Sequence, residues 1–328
     1  MGLLLCAAVL FSRHLTRRWA LLATAAVGAH GLLVLSAGRG LREELVGILA
    51  ILIVRAALER HEWRAPAVVA SAAVGAVAVV RWEIALLAVA LLLLGALLRR
   101  VPLRFVAGAL AAAALTSGPW LVANERKYGS WQASSNQAAT FWYRADVFGP
   151  EGVTSPSATS PDLAGGQMTW SRYYLEVLGP VESLSRVAVG SIGLLHDLAS
   201  TALWPLNDRW LEQNVTSQPV RQLGSLVRLT ADVAGWVVLT VVLAGLVRSR
   251  RATRLGVVSL LLVVAGCAAY APLRDLPFFE PRFVEFTIPF AGLLLAWGLA
   301  GLRRVHPFVP LDRGSEATTS AQLAESRE

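Results

Sequence analysis

Charge is scarce in this chain. Asp, Glu, Lys and Arg make up 16% of its 328 residues, against 55% hydrophobic, and the apolar residues form long runs rather than the stripes of a soluble helix. Cysteine is scarcer still. Cys6 and Cys267 are the only two; both sit inside apolar runs without a partner or a ligand at metal spacing, which excludes a disulfide framework and a zinc site. His14, His30, His61, His196 and His306 are scattered without ligand spacing, and neither a glycine-rich nucleotide loop nor a nucleophile elbow is present. Nothing alternates apolar and polar residues like a barrel strand, and no internal or inverted repeat of the transporter kind is visible.

What remains is a set of hydrophobic segments. A bilayer core roughly 30 Å thick takes about 20 residues of apolar helix to cross. Eight runs bounded by charge, glycine or proline approach that length, at 20–37, 41–58, 65–80, 84–98, 105–123, 229–247, 255–271 and 284–301, with a shorter stub at 1–11. Lipid cannot satisfy backbone N–H and C=O groups, so the spans are helical. The expected fold is an all-α polytopic membrane protein of about eight to nine transmembrane helices.

The formal charge is +8, yet the arginines occupy short loops between runs rather than one basic face. Topology explains them better than nucleic acid does. Arg13/Arg17/Arg18, Arg60/Arg64, Arg99/Arg100/Arg104, Arg248/Arg250/Arg251/Arg254 and Arg303/Arg304 fall in every second loop, which the positive-inside rule makes cytoplasmic. Residues 39–44, 81–83, 124–228 and 272–285 then face outward and collect acidic residues. Four regions follow: membrane helices with short outer turns at 1–123, an outer loop at 124–228, membrane helices at 229–304 and a polar, disordered cytoplasmic tail at 305–328. The stub runs from outside to inside with its basic residues behind it, unlike a signal peptide. It predicts either a chain that begins inside a helix of a longer protein or a short re-entrant helix.

The long outer segment begins with Gly/Ser/Pro/Thr-rich sequence, read as a mobile loop. It continues as WSRYYLEVLGPVESLSRVAVGSIGLLHDLASTALWP, read as an amphipathic helix on the outer membrane surface. The aromatic residues Trp131, Trp142, Tyr143, Trp170, Tyr173, Tyr174, Trp204 and Trp210 suit either an interfacial belt or stacking on sugar rings.

Three outer turns carry the candidate chemistry. Arg81 and Glu83 lie at a hairpin tip about two residues long, either as a solvated turn anchored by Trp82 or as the lining of an outward-facing polar cavity. SAGRGLREELVG places Arg39, Arg42, Glu43 and Glu44 at a helix mouth, where two carboxylates either cap the dipole or serve as base or metal ligand. FFEPRFVEFTIPF carries Glu280, Arg282 and Glu285 between prolines, an anion contact or an ordinary loop ion pair.

In order and sidedness these turns resemble the GT-C superfamily of polytopic glycosyltransferases, which includes the protein O-mannosyltransferases and the lipid A aminoarabinose transferase. The resemblance covers most of the chain. It rests on the basic turn and following span FSRHLTRRWALLATAAVGAHGLLVLSAG, on Arg39-Gly40-Leu41-Arg42-Glu43 where the family shows Arg-x-x-Thr-Glu, and on Val80-Arg81-Trp82-Glu83 where it shows Thr-Arg-Pro-Glu. It continues through Pro119-Trp120-Leu121-Val122-Ala123-Asn124-Glu125, Tyr128-Gly129-Ser130, Pro281-Arg282-Phe283 and Pro289. Val80, Trp82 and Ala123 depart from the family's threonine, proline and arginine. Its principal acid, an Asp or Asp-Glu pair of the first outer loop, would lie ahead of this chain.

The resemblance implies transfer of a sugar from a polyprenyl-phosphate donor to a glycan, lipid or protein acceptor at the outer face of a bacterial inner membrane, with inversion at the anomeric carbon. Such a site needs a carboxylate for the acceptor proton and cations for the leaving lipid phosphate. Glu43 would suit an acceptor hydroxyl or a divalent metal, Glu83 would orient Arg81, and Arg81, Arg282, Lys127 and Asn124 would suit the lipid phosphate. The member implied is N-terminally incomplete or catalytically degenerate. The rival expectations are a non-catalytic polytopic protein, such as a lipid-binding partner or a transporter, and an oligosaccharide ligase or polymerase.

Overall fold

Apolar runs that cannot present backbone polar groups to lipid close those groups on themselves, and the chain folds accordingly. The computed structural model describes residues 2–37, 42–58, 65–98, 101–128, 179–204, 216–249, 253–271 and 281–308. In chain order the helices are α1 (Gly2–His14), α2 (Arg17–Gly28), α3 (Gly31–Ala37), α4 (Arg42–Leu58), α5 (Ala65–Val80), α6 (Trp82–Leu97) and α7 (Leu103–Tyr128). Then come α8 (Gly179–Leu203), α9 (Gln218–Arg248), α10 (Arg254–Tyr270), a 3₁₀-helix (Pro281–Thr287) and α11 (Ile288–Leu302). Among the described residues there is no β-strand, only an isolated bridge between Leu15 and Phe308.

Among the described residues three helical stretches are long and apolar enough to cross a membrane, Leu103–Ala123, Gln218–Arg248 and Val284–Leu302, and four shorter apolar helices accompany them. Their burial differs sharply. The apolar window of the last is 83% buried within the protein, those of the first two only 17% and 22%. Leu110, Leu115, Val233, Trp236, Leu243 and Val247 are exposed, an apolar surface that lipid covers at no cost and water does not. This is a helical membrane protein with α11 at its centre.

Small residues set how closely the helices approach, because packing rather than hydrophobic expulsion drives association in lipid. A methyl group added at Gly245, Gly298 or Gly301 would strike backbone across the α9–α11 contact. Gly75 meets Ala112 and Thr116 while Gly108 meets Ser71, so α5 and α7 run parallel, and Thr116 Oγ1 donates to Gly75 O at 2.9 Å. Helix α10 descends antiparallel to α11, with Gly256 against Trp297 and Gly266 against Thr287 and Phe286. Helix α2 is also antiparallel to α11. Gly292 abuts Ala23 and Val27, and farther along Thr16 N donates to Pro307 O at 2.8 Å.

Two features differ from the sequence reading. The run 20–37 is not one helix; it breaks at Ala29–His30 into α2 and α3. Gly28 and Gly31 flank the break and lower the cost of leaving helical geometry. His30 Nε2 donates to Leu198 O on α8 at 3.1 Å, a partner 168 positions away.

The second is the amphipathic helix. Instead of lying flat on a membrane surface, the second half of α8 is inserted into the bundle. Gly190 touches Ala271, Ser200 touches Gly235, and His196 Nε2 donates to Asp232 O at 2.9 Å while its ring stacks on Trp236 at 4.5 Å. Contacts 196 to 232 and 200 to 235 keep a constant offset, so α8 runs parallel to α9. Its last turn stops about level with the middle of α11. Helix α9 continues unbroken through residues 228 and 229, and α7 continues through Asn124 to Tyr128.

The bundle is electrically polarised. Arg13, Arg17, Arg18, Arg104, Arg248, Arg254, Arg303 and Arg304 lie towards one end, and every acidic residue of the described segments lies in the other half. Val305–Phe308 packs back at the arginine end, where Phe308 is buried and meets Trp297 edge-on at 5.7 Å. The remaining tail, 309–328, the Gly/Ser/Pro-rich loop and most of the outer aromatic residues fall outside the described residues.

Candidate functional site

Arg81 is the single residue between α5 and α6, and its backbone serves both helices. Its N–H donates to Val77 O at 2.6 Å, closing α5, and its carbonyl accepts from Ile84 N at 3.1 Å and Ala85 N at 3.2 Å, opening α6. So short a link leaves the side chain little freedom and aims it into the acidic end of the bundle.

There it meets Glu43 and Tyr270. Arg81 Nη1 donates to Glu43 Oε1 at 3.4 Å, and Nη2 donates to the Tyr270 hydroxyl at 2.6 Å. The guanidinium carbon lies 5.4 Å from the centroid of the Tyr270 ring, within cation–π range. All three are buried, at 5% exposure for Arg81, 5% for Glu43 and 4% for Tyr270. A charged pair taken this far from water is expensive unless closely matched and further hydrogen-bonded, and Tyr270 contributes to meeting that demand.

Each member is placed by a helix end. Glu43 stands in the first turn of α4 beside Glu44, where the helix dipole favours a carboxylate. Glu44 Oε1 accepts from Leu3 N at 3.2 Å, which ties α4 to the start of α1. Tyr270 is the last residue of α10. The 3₁₀-helix packs on both α4 and α10 and brings Glu285, 2% exposed, to the same end. Thr287 Oγ1 donates to Val284 O at 2.6 Å and fixes the passage into α11.

An apolar groove of about 470 Å³ runs between α4, α6 and α10, its upper wall reaching Val77 and Ile84 on either side of Arg81 in the chain. Ile84, Val77 and Phe286 line its upper part and Leu98, Val101, Thr253 and Arg254 its far end. From Ile84 to Leu98 the helical rise makes it roughly 21 Å long. Its walls are almost wholly hydrocarbon, so it suits an alkyl or isoprenoid chain and not a polar solute.

Of the residues singled out in the sequence, the structure joins Glu43 to Arg81. Glu83 falls in the first turn of α6, Asn124 and Lys127 in the last two turns of α7, and Arg282 at the second position of the 3₁₀-helix; their side chains lie outside what the structure describes. From the α5–α7 register, Asn124 and Lys127 stand about 9 and 14 Å beyond the level of Arg81. The last turns of α7 therefore extend past the level of the cluster. Tyr270 was missed: a tyrosine ending an apolar run reads as an interfacial anchor, and nothing local to it signals an arginine 189 positions earlier.

Among the described residues no group of three or more His, Cys, Asp or Glu side chains is arranged to hold a metal ion. Comparison with protein-family models, with curated proteins and with solved structures finds no match to this chain.

Proposed function

We propose that this protein is a membrane glycosyltransferase of the GT-C type that moves a sugar from a polyprenyl-phosphate donor to an acceptor at the outer face of a bacterial inner membrane. The observation that carries the reading is the buried Glu43–Arg81–Tyr270 cluster, with an apolar groove whose upper wall, Val77 and Ile84, lies within about one helical turn of Arg81. A lipid phosphate needs both parts, a cation for its head and a hydrocarbon trench for the first units of its chain. In this reading the bundle has eight to nine spans, as the charge alternation of the loops suggests, and residues 305–328 lie on the cytoplasmic side.

The chemistry follows from the charges. An acceptor hydroxyl attacks the anomeric carbon from the face opposite the phosphate, the C–O bond to the lipid phosphate breaks, and a carboxylate takes the hydroxyl proton. Arg81 stabilises the negative charge that grows on the departing phosphate, and Tyr270 and Glu43 hold its guanidinium in position beforehand. Glu43, tied to Arg81, serves first to orient that cation and is the nearest described carboxylate for the proton. Arg282, Lys127 and Asn124 are assigned to the lipid phosphate and Glu83 to Arg81 on the resemblance of their motifs alone.

One observation favours a second reading. A carboxylate occupied by a buried ion pair is a poor base, which suits a non-catalytic protein that only binds a lipid-linked sugar. Proteoliposomes given a polyprenyl-phosphate sugar and a mixture of acceptors separate the two. Transfer that disappears in Arg81→Ala and Glu43→Gln supports the enzyme; transfer unchanged in both variants refutes the assigned site; donor binding without transfer by the parent chain supports the lipid-binding protein.

A further inference from the structure

The far end of the groove has its own chemistry. Thr253 and Arg254 line it, opposite the Arg81 cluster. Thr253 is committed to capping α10, its hydroxyl oxygen accepting from Gly256 N at 3.2 Å, which sets the first turn of α10 and presents Arg254 at the rim. Arg254 is exposed, and among the described residues no ion pair engages its guanidinium. Arg17, Arg18, Arg248, Arg303 and Arg304 share this end, where the described segments carry no acidic residue.

We infer that the arginine end of the groove is a binding site for an anionic phospholipid, its phosphate held by Arg254 and one acyl chain laid between α6 and α10 against Gly95, Leu98, Val101, Val257 and Val258. Two arguments select this occupant. Among the described residues the charge at this end is of one sign and lies where an anionic headgroup sits, an arginine near a membrane surface adding favourable attraction. Along α6 the groove is also longer than one leaflet is deep, roughly 21 Å against about 15 Å, so its Thr253–Arg254 end lies at the depth of the leaflet on the arginine side. A soluble anion would use the arginine but leave the hydrocarbon trench empty, and a neutral lipid would fill the trench but not the charge. The site does not depend on sugar transfer.

The test uses the full chain in nanodiscs of phosphatidylcholine with a minor share of phosphatidylglycerol, followed by detergent release and native mass spectrometry of retained lipid. The parent chain is expected to keep a single phosphatidylglycerol in preference to phosphatidylcholine. Arg254→Gln should lower that preference about fivefold, and Leu91→Trp, which fills the middle of the groove, should lower retention of either lipid. Arg303→Gln, at the same end but not on the groove, should lower it clearly less than Arg254→Gln. The inference is overturned if the parent retains both lipids equally, if Arg254→Gln keeps the parent's preference, or if Arg303→Gln loses as much as Arg254→Gln, which would mean diffuse surface charge.

Discussion

Arg81 and Tyr270, 189 positions apart, meet through an Nη2–H···O bond of 2.6 Å beneath the acidic end of the bundle. Because Arg81 is also the whole link between α5 and α6, this one bond fastens the tip of a helical hairpin to the end of α10. Removing the hydroxyl while keeping the ring isolates its contribution. Tyr270→Phe is expected to destabilise the protein by about 1.5–3 kcal/mol, the range for hydrogen bonds to charged groups. Arg81→Met should cost about 3–5 kcal/mol by stranding Glu43, and Arg81→Met with Glu43→Gln distinctly less than the two single changes together. Unfolding in mixed micelles measures all of these; strict additivity would remove the ion pair as a unit of stability.

The α9–α11 contact makes a different prediction. Gly245→Ala forces its methyl into the backbone of Gly298, so overpacking should cost about 1–3 kcal/mol or more. Gly28→Ala meets only the flexible end of Leu4 and should be nearly neutral. Melting of the two variants in detergent, followed by size exclusion, distinguishes them; equal melting points would contradict the close crossing.

Sidedness can be read chemically. Val181 and Val305 are 82% and 51% exposed and lie at opposite ends of the bundle. In a background lacking Cys6 and Cys267, Val181→Cys should react with a membrane-impermeant maleimide added outside intact cells, and Val305→Cys only after lysis. Labelling of both from one side would overturn the orientation.

At the arginine end, Phe308 packs edge-on against Trp297, whose Nε1 donates to Ser249 Oγ at 2.8 Å. Phe308→Ala should cost about 3–5 kcal/mol, as for a large side chain removed from a core, and Ser249→Ala about 1 kcal/mol. Thermal shifts in that order would agree; a negligible Phe308→Ala effect would mean that residues 305–308 are not part of the folded unit.

Much of this architecture was legible because lipid makes demands that sequence must meet locally. Helix positions follow from apolar runs, the Arg81 hairpin tip from two charges between them, and the polarised ends from arginine in alternate loops. What escaped depended on distant contacts. No local signal says that His30 will donate to Leu198 O, so the run containing it looked continuous. Helix α8 carries enough polar residues to pass for an interfacial helix; its insertion is set by Gly190 and Ser200 matching Ala271 and Gly235 on two other helices. In the site, Glu43 and Arg81 were visible as charges out of place, whereas Tyr270 was visible only as an aromatic residue at a helix end.

The contact of α2 with α11 also carries a consequence for how the protein is made. Ala23 and Val27 pack against Gly292, more than 260 positions later. At about 5–20 residues per second a ribosome needs ten seconds or more to cover that distance. Over that interval the faces of α2 that end up against α11 must rest against lipid or an insertion chaperone. Helix α11 therefore closes this part of the assembly, and a chain stalled before residue 288 would leave α2 inserted but unlocked, a state open to quality-control proteases.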